Sequence, residues 1–140
     1  MIRLCSLFVI VFAIGSASLL RGDETSKEQA AVTAAEKWLA LIDAGQHAES
    51  WKSAAEYFRT AVKQEQWEQA LKAVRPPLGK LISRKLKSKT FKASLPGAPD
   101  GEYVILEFES SFENKKAAVE TVTPMKDKDG QWRVAGYFIK

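Results

Sequence analysis

A single cysteine, a single histidine and two methionines stand in a chain of 140 residues. One cysteine cannot build a disulfide framework, and one histidine without a thiol beside it leaves little to hold a transition metal. With 8 glycines and 5 prolines the chain is neither linker-like nor collagen-like, and 46% hydrophobic residues is too many for a disordered one. No Gly-x-Ser-x-Gly occurs, and Ser50 and Ser53 have no base at a readable spacing. No cofactor and no metal are therefore expected. The length allows one compact domain.

What is present begins with an address. Arg3 precedes Leu4 to Ile14, an uncharged apolar run, and Gly15-Ser16-Ala17 follows with small residues where a signal peptidase needs them. Residues 1–22 read as a Sec-type signal peptide cut after residue 17 to 22. An uncleaved anchor is the rival: Leu4 to Leu20 is 17 residues, the short limit for a span. Cys5 lies near the start of the apolar run, where a lipidated cysteine would not. Loss of Arg3 and Arg21 leaves 19 basic and 17 acidic residues, net +2, and no cysteine. A thiol-free chain suits an exported compartment, periplasm or medium, and makes nucleic acid an unexpected partner.

Residues 23–140 read as a single domain. Ser26 is the expected N-cap of a first helix, with Ala31, Ala34, Ala35, Trp38, Leu39, Leu41 and Ile42 at three- and four-residue spacing and Gly45 as its stop. A second helix carries Ala48, Trp51, Ala55 and Phe58 on one face. A third carries Trp67, Leu71 and Val74 and ends at Pro76-Pro77. Past Gly79 the period changes to two. Strands are expected over 81–94, 102–112, 117–125 and 132–139, divided by Pro96 to Gly101, by Glu113 to Lys116 and by Asp127 to Gly130. Helices followed by hairpin-linked strands predict an α+β domain, three helices on one face of a four-stranded antiparallel sheet.

Several stretches carry a family resemblance: Trp38 to Trp51, the run from Glu65 to Gly79, Leu95 to Tyr103, Ser111 to Met125, and the terminal Asp129 to Lys140. Together they resemble the exported bacterial family known as domain of unknown function 4019, over Lys27 to Lys140. That resemblance implies a cystatin-like or NTF2-like cone. It implies no reaction and supplies no functional residues.

Cones of that kind often enclose a cavity, and some house enzymes that pair a carboxylate with hydroxyl donors. The candidate pocket residues here are Trp38, Asp43, Trp51, Tyr57, Trp67 and Tyr137. Each has an ordinary role open to it, because a small domain needs large side chains in its core. His47 reads as a surface or capping residue. The most distinctive polar feature is basic: eight Lys and Arg between Lys72 and Lys92, with no acidic residue between Glu68 and Asp100. Arg84, Lys85, Lys87, Lys89 and Lys92 form the candidate surface for an anionic partner, Lys85, Lys87 and Lys89 sharing one strand face by the period of two. The competing reading is protection of an exposed strand from edge pairing.

The functional expectation is an exported, non-catalytic binding domain whose partner is a protein or envelope component. Contact is expected through the sheet face, the basic strand or the Pro-Gly loop. A homodimer would use Tyr103, Ile105, Tyr137 and Ile139 as a second apolar face. The alternative is a small-molecule-binding or enzymatic cone, and membrane attachment follows only if the leader is retained.

Overall fold

The computed structural model describes residues 17–140, with side chains from Gly22 onward. The apolar run of the expected leader lies outside the described residues, and its cleavage window falls in the first turns of the first helix. The elements run α1 (Ala17–Asp43), α2 (His47–Lys52), α3 (Glu56–Ala61), α4 (Gln64–Leu78), β1 (Leu81–Lys92), β2 (Tyr103–Phe112), β3 (Lys115–Lys126) and β4 (Trp132–Ile139). The strands form one antiparallel meander in the order β1-β2-β3-β4. Helices cover one face of the sheet, as expected for an α+β domain.

Three boundaries differ from the sequence reading. Helix α1 starts well before Ser26, because nothing between Ala17 and Ser26 breaks a helix. The expected second helix is two. Between α2 and α3, Ala54 and Ala55 are fully buried, and the Ala55 N–H donates to the Val134 carbonyl on β4 at 2.8 Å. That bond removes Ala55 from a helical ladder and caps the outer edge of β4. Helix α4 runs through Pro76 and Pro77 to Leu78, since both prolines fall in its last turn and their fixed φ suits a helix. The stop at Gly45 is as expected. With φ 74° it closes a Schellman motif, its N–H donating to Ile42 and that of Gln46 to Leu41.

The core lies between α1, α4 and the inner sheet face. Ala31, Ala35, Trp38, Leu39 and Ile42 form the buried stripe of α1, and they meet Val104, Leu106, Phe108, Val122 and Val134. A second cluster on the outer face joins Tyr103 and Met125 to Ala55, with Leu95 and Ala98 of the Pro-Gly loop packed against it. The loop therefore folds back over its own strand end. Among the described residues no helix is long and apolar enough to cross a membrane.

Candidate functional site

The residues proposed for an interior pocket do not converge on one cavity. Trp38 and Tyr137 meet edge to face at 5.5 Å between centroids, Trp38 and Trp67 tilt together at 5.8 Å, and Phe58 closes on Trp67 at 5.0 Å. These rings occupy the space between helices and sheet. Ser50, fully buried on α2, pins two of them. Its carbonyl accepts the Trp38 indole N–H at 2.7 Å, and its hydroxyl accepts that of Trp67 at 2.9 Å. Trp51 donates its own indole N–H to the Val62 carbonyl at 2.8 Å. Tyr57 lies apart, donating to the Gly97 carbonyl of the Pro-Gly loop at 3.0 Å.

Asp43 is at the open end of a polar network that sequence reasoning did not foresee. Arg84 lies between two carboxylates. Its Nη1 and Nη2 grip Asp43 at 2.7 and 3.0 Å, and its Nε donates to Glu120 at 2.8 Å. Arg75 adds a third hydrogen bond to Asp43 at 2.8 Å, its guanidinium resting 4.9 Å from the Phe112 ring centre. Glu120 has no exposure at all. One of its oxygens accepts from Arg84 and from the Ser110 hydroxyl at 2.6 Å, the other from the Tyr137 hydroxyl at 2.6 Å. Two carboxylates and two guanidiniums balance to zero, which is what lets charge sit in this interior.

The protonation states follow from those contacts. Burial by itself would raise Asp43, but Arg84 and Arg75 outweigh it and hold the carboxyl below its ordinary value. Burial, and then the Glu120 charge, push the Tyr137 hydroxyl far up, so it stays a donor at any physiological pH. His47, at the rim of a cleft of about 260 Å³ beside Asp43 and Arg75, is held low by burial and by Lys72 and Arg75. A carboxylate whose oxygens are all committed to donors is a cross-link between strands more than a base. Among the described residues no three His, Cys, Asp or Glu side chains stand together as a metal site.

The basic surface is also rearranged. A β-bulge between Leu86 and Ser88 resets the alternation of β1. Lys85 and Lys92 pair with Glu109 and Tyr103 on the outer face, where Lys87 reaches within 4.0 Å of Glu109. Lys89 pairs with Leu106 on the inner face and reaches Glu28 of α1 at 3.7 Å. Arg84 faces inward as well, so two of the five residues leave the expected surface. The second apolar face does not form either. Leu106, Val122 and Tyr137 stand in register, so Tyr137 lies on the side opposite Ile105. The large apolar group left bare on β4 is Phe138, 55% exposed.

The Pro-Gly loop is tied down at both flanks. Besides the Tyr57 bond to Gly97, the Tyr103 hydroxyl donates to the Pro99 carbonyl at 2.5 Å, and the Gly101 N–H to the Ala93 carbonyl at 3.1 Å. The fixed loop, α3 and the β3–β4 turn frame a pocket of about 350 Å³. Tyr57, Pro99 and Met125 supply its apolar surface, and Glu56, Asp100 and Lys128 are among its polar lining.

Residues 34–137 match the family described as protein of unknown function DUF4019. The chain belongs to that family. No curated protein and no solved structure matches it. The DUF4019 region holds every member of the polar network, from Asp43 to Tyr137, together with the Pro-Gly loop. The signal that pointed to Glu120 was available in the sequence: a carboxylate between Ala118 and Val122 on the inward parity of a strand. Arg84 likewise shares its parity with Leu86.

Proposed function

We propose that this DUF4019 domain is an exported binding module, acting through the pocket that the Pro-Gly loop frames. The observation that carries the reading is the tethered loop beside an apolar-floored hollow. A loop fixed before contact loses little entropy on binding, and a concave apolar patch rimmed by charges is the usual anchor point of an interface. The partner this surface fits is a protein or envelope component that places an apolar side chain on Met125 and Tyr57. Support for export comes from Arg3, the apolar run and the small residues at 15–17. The interior supports a non-catalytic role, since its carboxylates are engaged by donors and its rings are packed together.

The test is retention of the purified protein by envelope fractions. Thr60→Trp, which fills the pocket, and Asp100→Lys, which reverses its rim, are expected to lower retention about tenfold, with Lys85→Glu unchanged. Retention insensitive to both pocket variants but lost with Lys85→Glu would move the working surface to the basic strand and overturn the reading.

A further inference from the structure

Three of the four tryptophans commit their indole N–H inside the protein, two to Ser50 and one to Val62. Among the described residues, Trp132 has no hydrogen-bond partner for its own. Its ring is half-buried, backed by the core, and it lines an open groove of about 610 Å³ between α1 and the β3–β4 turn. The α1 wall runs from Asp23 to Lys37, close to four turns, or about 21 Å. Ala30 and Ala34 give it methyl groups, while Gln131, Thr33 and Lys37 bring an amide, a hydroxyl and an ammonium. The Thr33 hydroxyl donates to the Gln29 carbonyl and keeps its lone pairs free to accept. The Gln131 amide and the Lys37 ammonium hold no side-chain partner among the described residues.

The chemistry of that lining selects among occupants. Lys27 and Lys126 are both tied to Glu102, at 2.5 and 3.6 Å, and Lys27 also to Asp23 at 3.2 Å. With Asp23 and Glu102 set against Lys27, Lys37 and Lys126, the groove carries a single net positive charge, too little for a polyphosphate or other strongly anionic chain. An extended peptide needs a row of unpaired backbone groups, and a helix wall offers none because its N–H and C=O groups bond each other. An amphipathic helix needs a wide apolar stripe, and two alanines with one indole are too narrow. A saccharide fits what is left: a C–H face to lie on an aromatic ring, and hydroxyl edges that both donate and accept.

We propose that this groove binds a saccharide chain, with Trp132 as the stacking platform and Gln131, Thr33 and Lys37 meeting the hydroxyls. The groove shares only Lys126 with the loop pocket, so this site stands or falls separately from the function proposed above. The experiment is titration of the protein, in the form cells produce, with chitotetraose, cellotetraose and maltotetraose, read by calorimetry and tryptophan fluorescence. Saturable binding of at least one is expected. Trp132→Ala should weaken it about tenfold or more and Trp132→Phe far less, with Lys116→Ala as an unchanged control. Should Trp132→Ala fail to fold, Gln131→Ala and Lys37→Ala are each expected to cost about threefold. The proposal is overturned if none of the three sugars saturates, or if affinity is unchanged in the folded groove variants.

Discussion

Glu120 makes the strongest demand on its surroundings of any residue here. With no exposure and three donors around it, it ties β3 to β1, β2 and β4 at once. Removing one charge of a buried pair leaves the other uncompensated, so Glu120→Gln should cost roughly 3 kcal/mol in a denaturant titration. Ser110→Ala, which takes away one donor and no charge, should cost about 1 kcal/mol. The pH dependence has two limbs. Asp43 is held below its ordinary 3.8, so its contribution is full above that value and is lost as pH falls through the lower, folded one. Asp129, paired with Arg133, is held down to about 2 and moves in the same direction. A melting-temperature series in acid should fall below about pH 4, and less steeply in Asp43→Asn. Tyr137 works the other way. Its hydroxyl is raised, so its contribution is full below the ordinary 10.0 and is lost as pH rises past it. Tyrosinate absorbance should show a step that appears only with unfolding and is smaller in Tyr137→Phe, where the buried Tyr103, also raised, still contributes.

At the scale of elements, what the sequence made legible was the order of the parts and their periods. All four strands and the stop at Gly45 lie within a few residues of where the pattern puts them. What it hid were interruptions. The bulge at Leu86/Ser88 leaves no mark on a run already rich in Lys and Ser, yet it decides that Lys89 faces a helix and Lys85 faces outward. The break at Ala54-Ala55 is equally silent, because alanine favours the helix it abandons there for a bond to β4. The Asp43, Trp38 and Tyr137 candidates were found as residues, but the roles of Asp43 and Tyr137 depend on Arg75, Arg84 and Glu120, and that of Trp38 on Ser50, partners that reach them only across the fold. Two glycines test the turns. Gly79 has φ 76° and ψ −162°, and a Cβ there would sit 2.9 Å from that of Glu113. Gly79→Ala should cost roughly 3 kcal/mol, against about 1 kcal/mol for Gly45→Ala, where φ is 74° and no atom stands within 4 Å. Equilibrium unfolding of the two variants side by side checks the contrast.

For the whole molecule, the first fully buried residue among those described is Ala31, eight positions beyond Asp23. A chain beginning at Asp23 keeps every buried residue described in α1 and should hold its fold, whereas one beginning at Trp38 loses Ala31, Val32 and Ala35 from the core and should not. Limited proteolysis of the two forms distinguishes them. The meander pairs each strand with its neighbour in sequence, so the sheet can grow step by step as chain becomes available. Helix α1 is the exception. Trp38 closes on Tyr137, three residues from the last position, so the earliest element is completed by the latest one. On the export proposed above, the chain is threaded through a membrane channel from its N-terminus, and that circle delays closure: until β4 has emerged, α1 lacks Val134 and Tyr137 from its floor and Glu120 lacks the Tyr137 hydroxyl. The protein would remain pliable while it is still in transit, and would become fixed only on the far side.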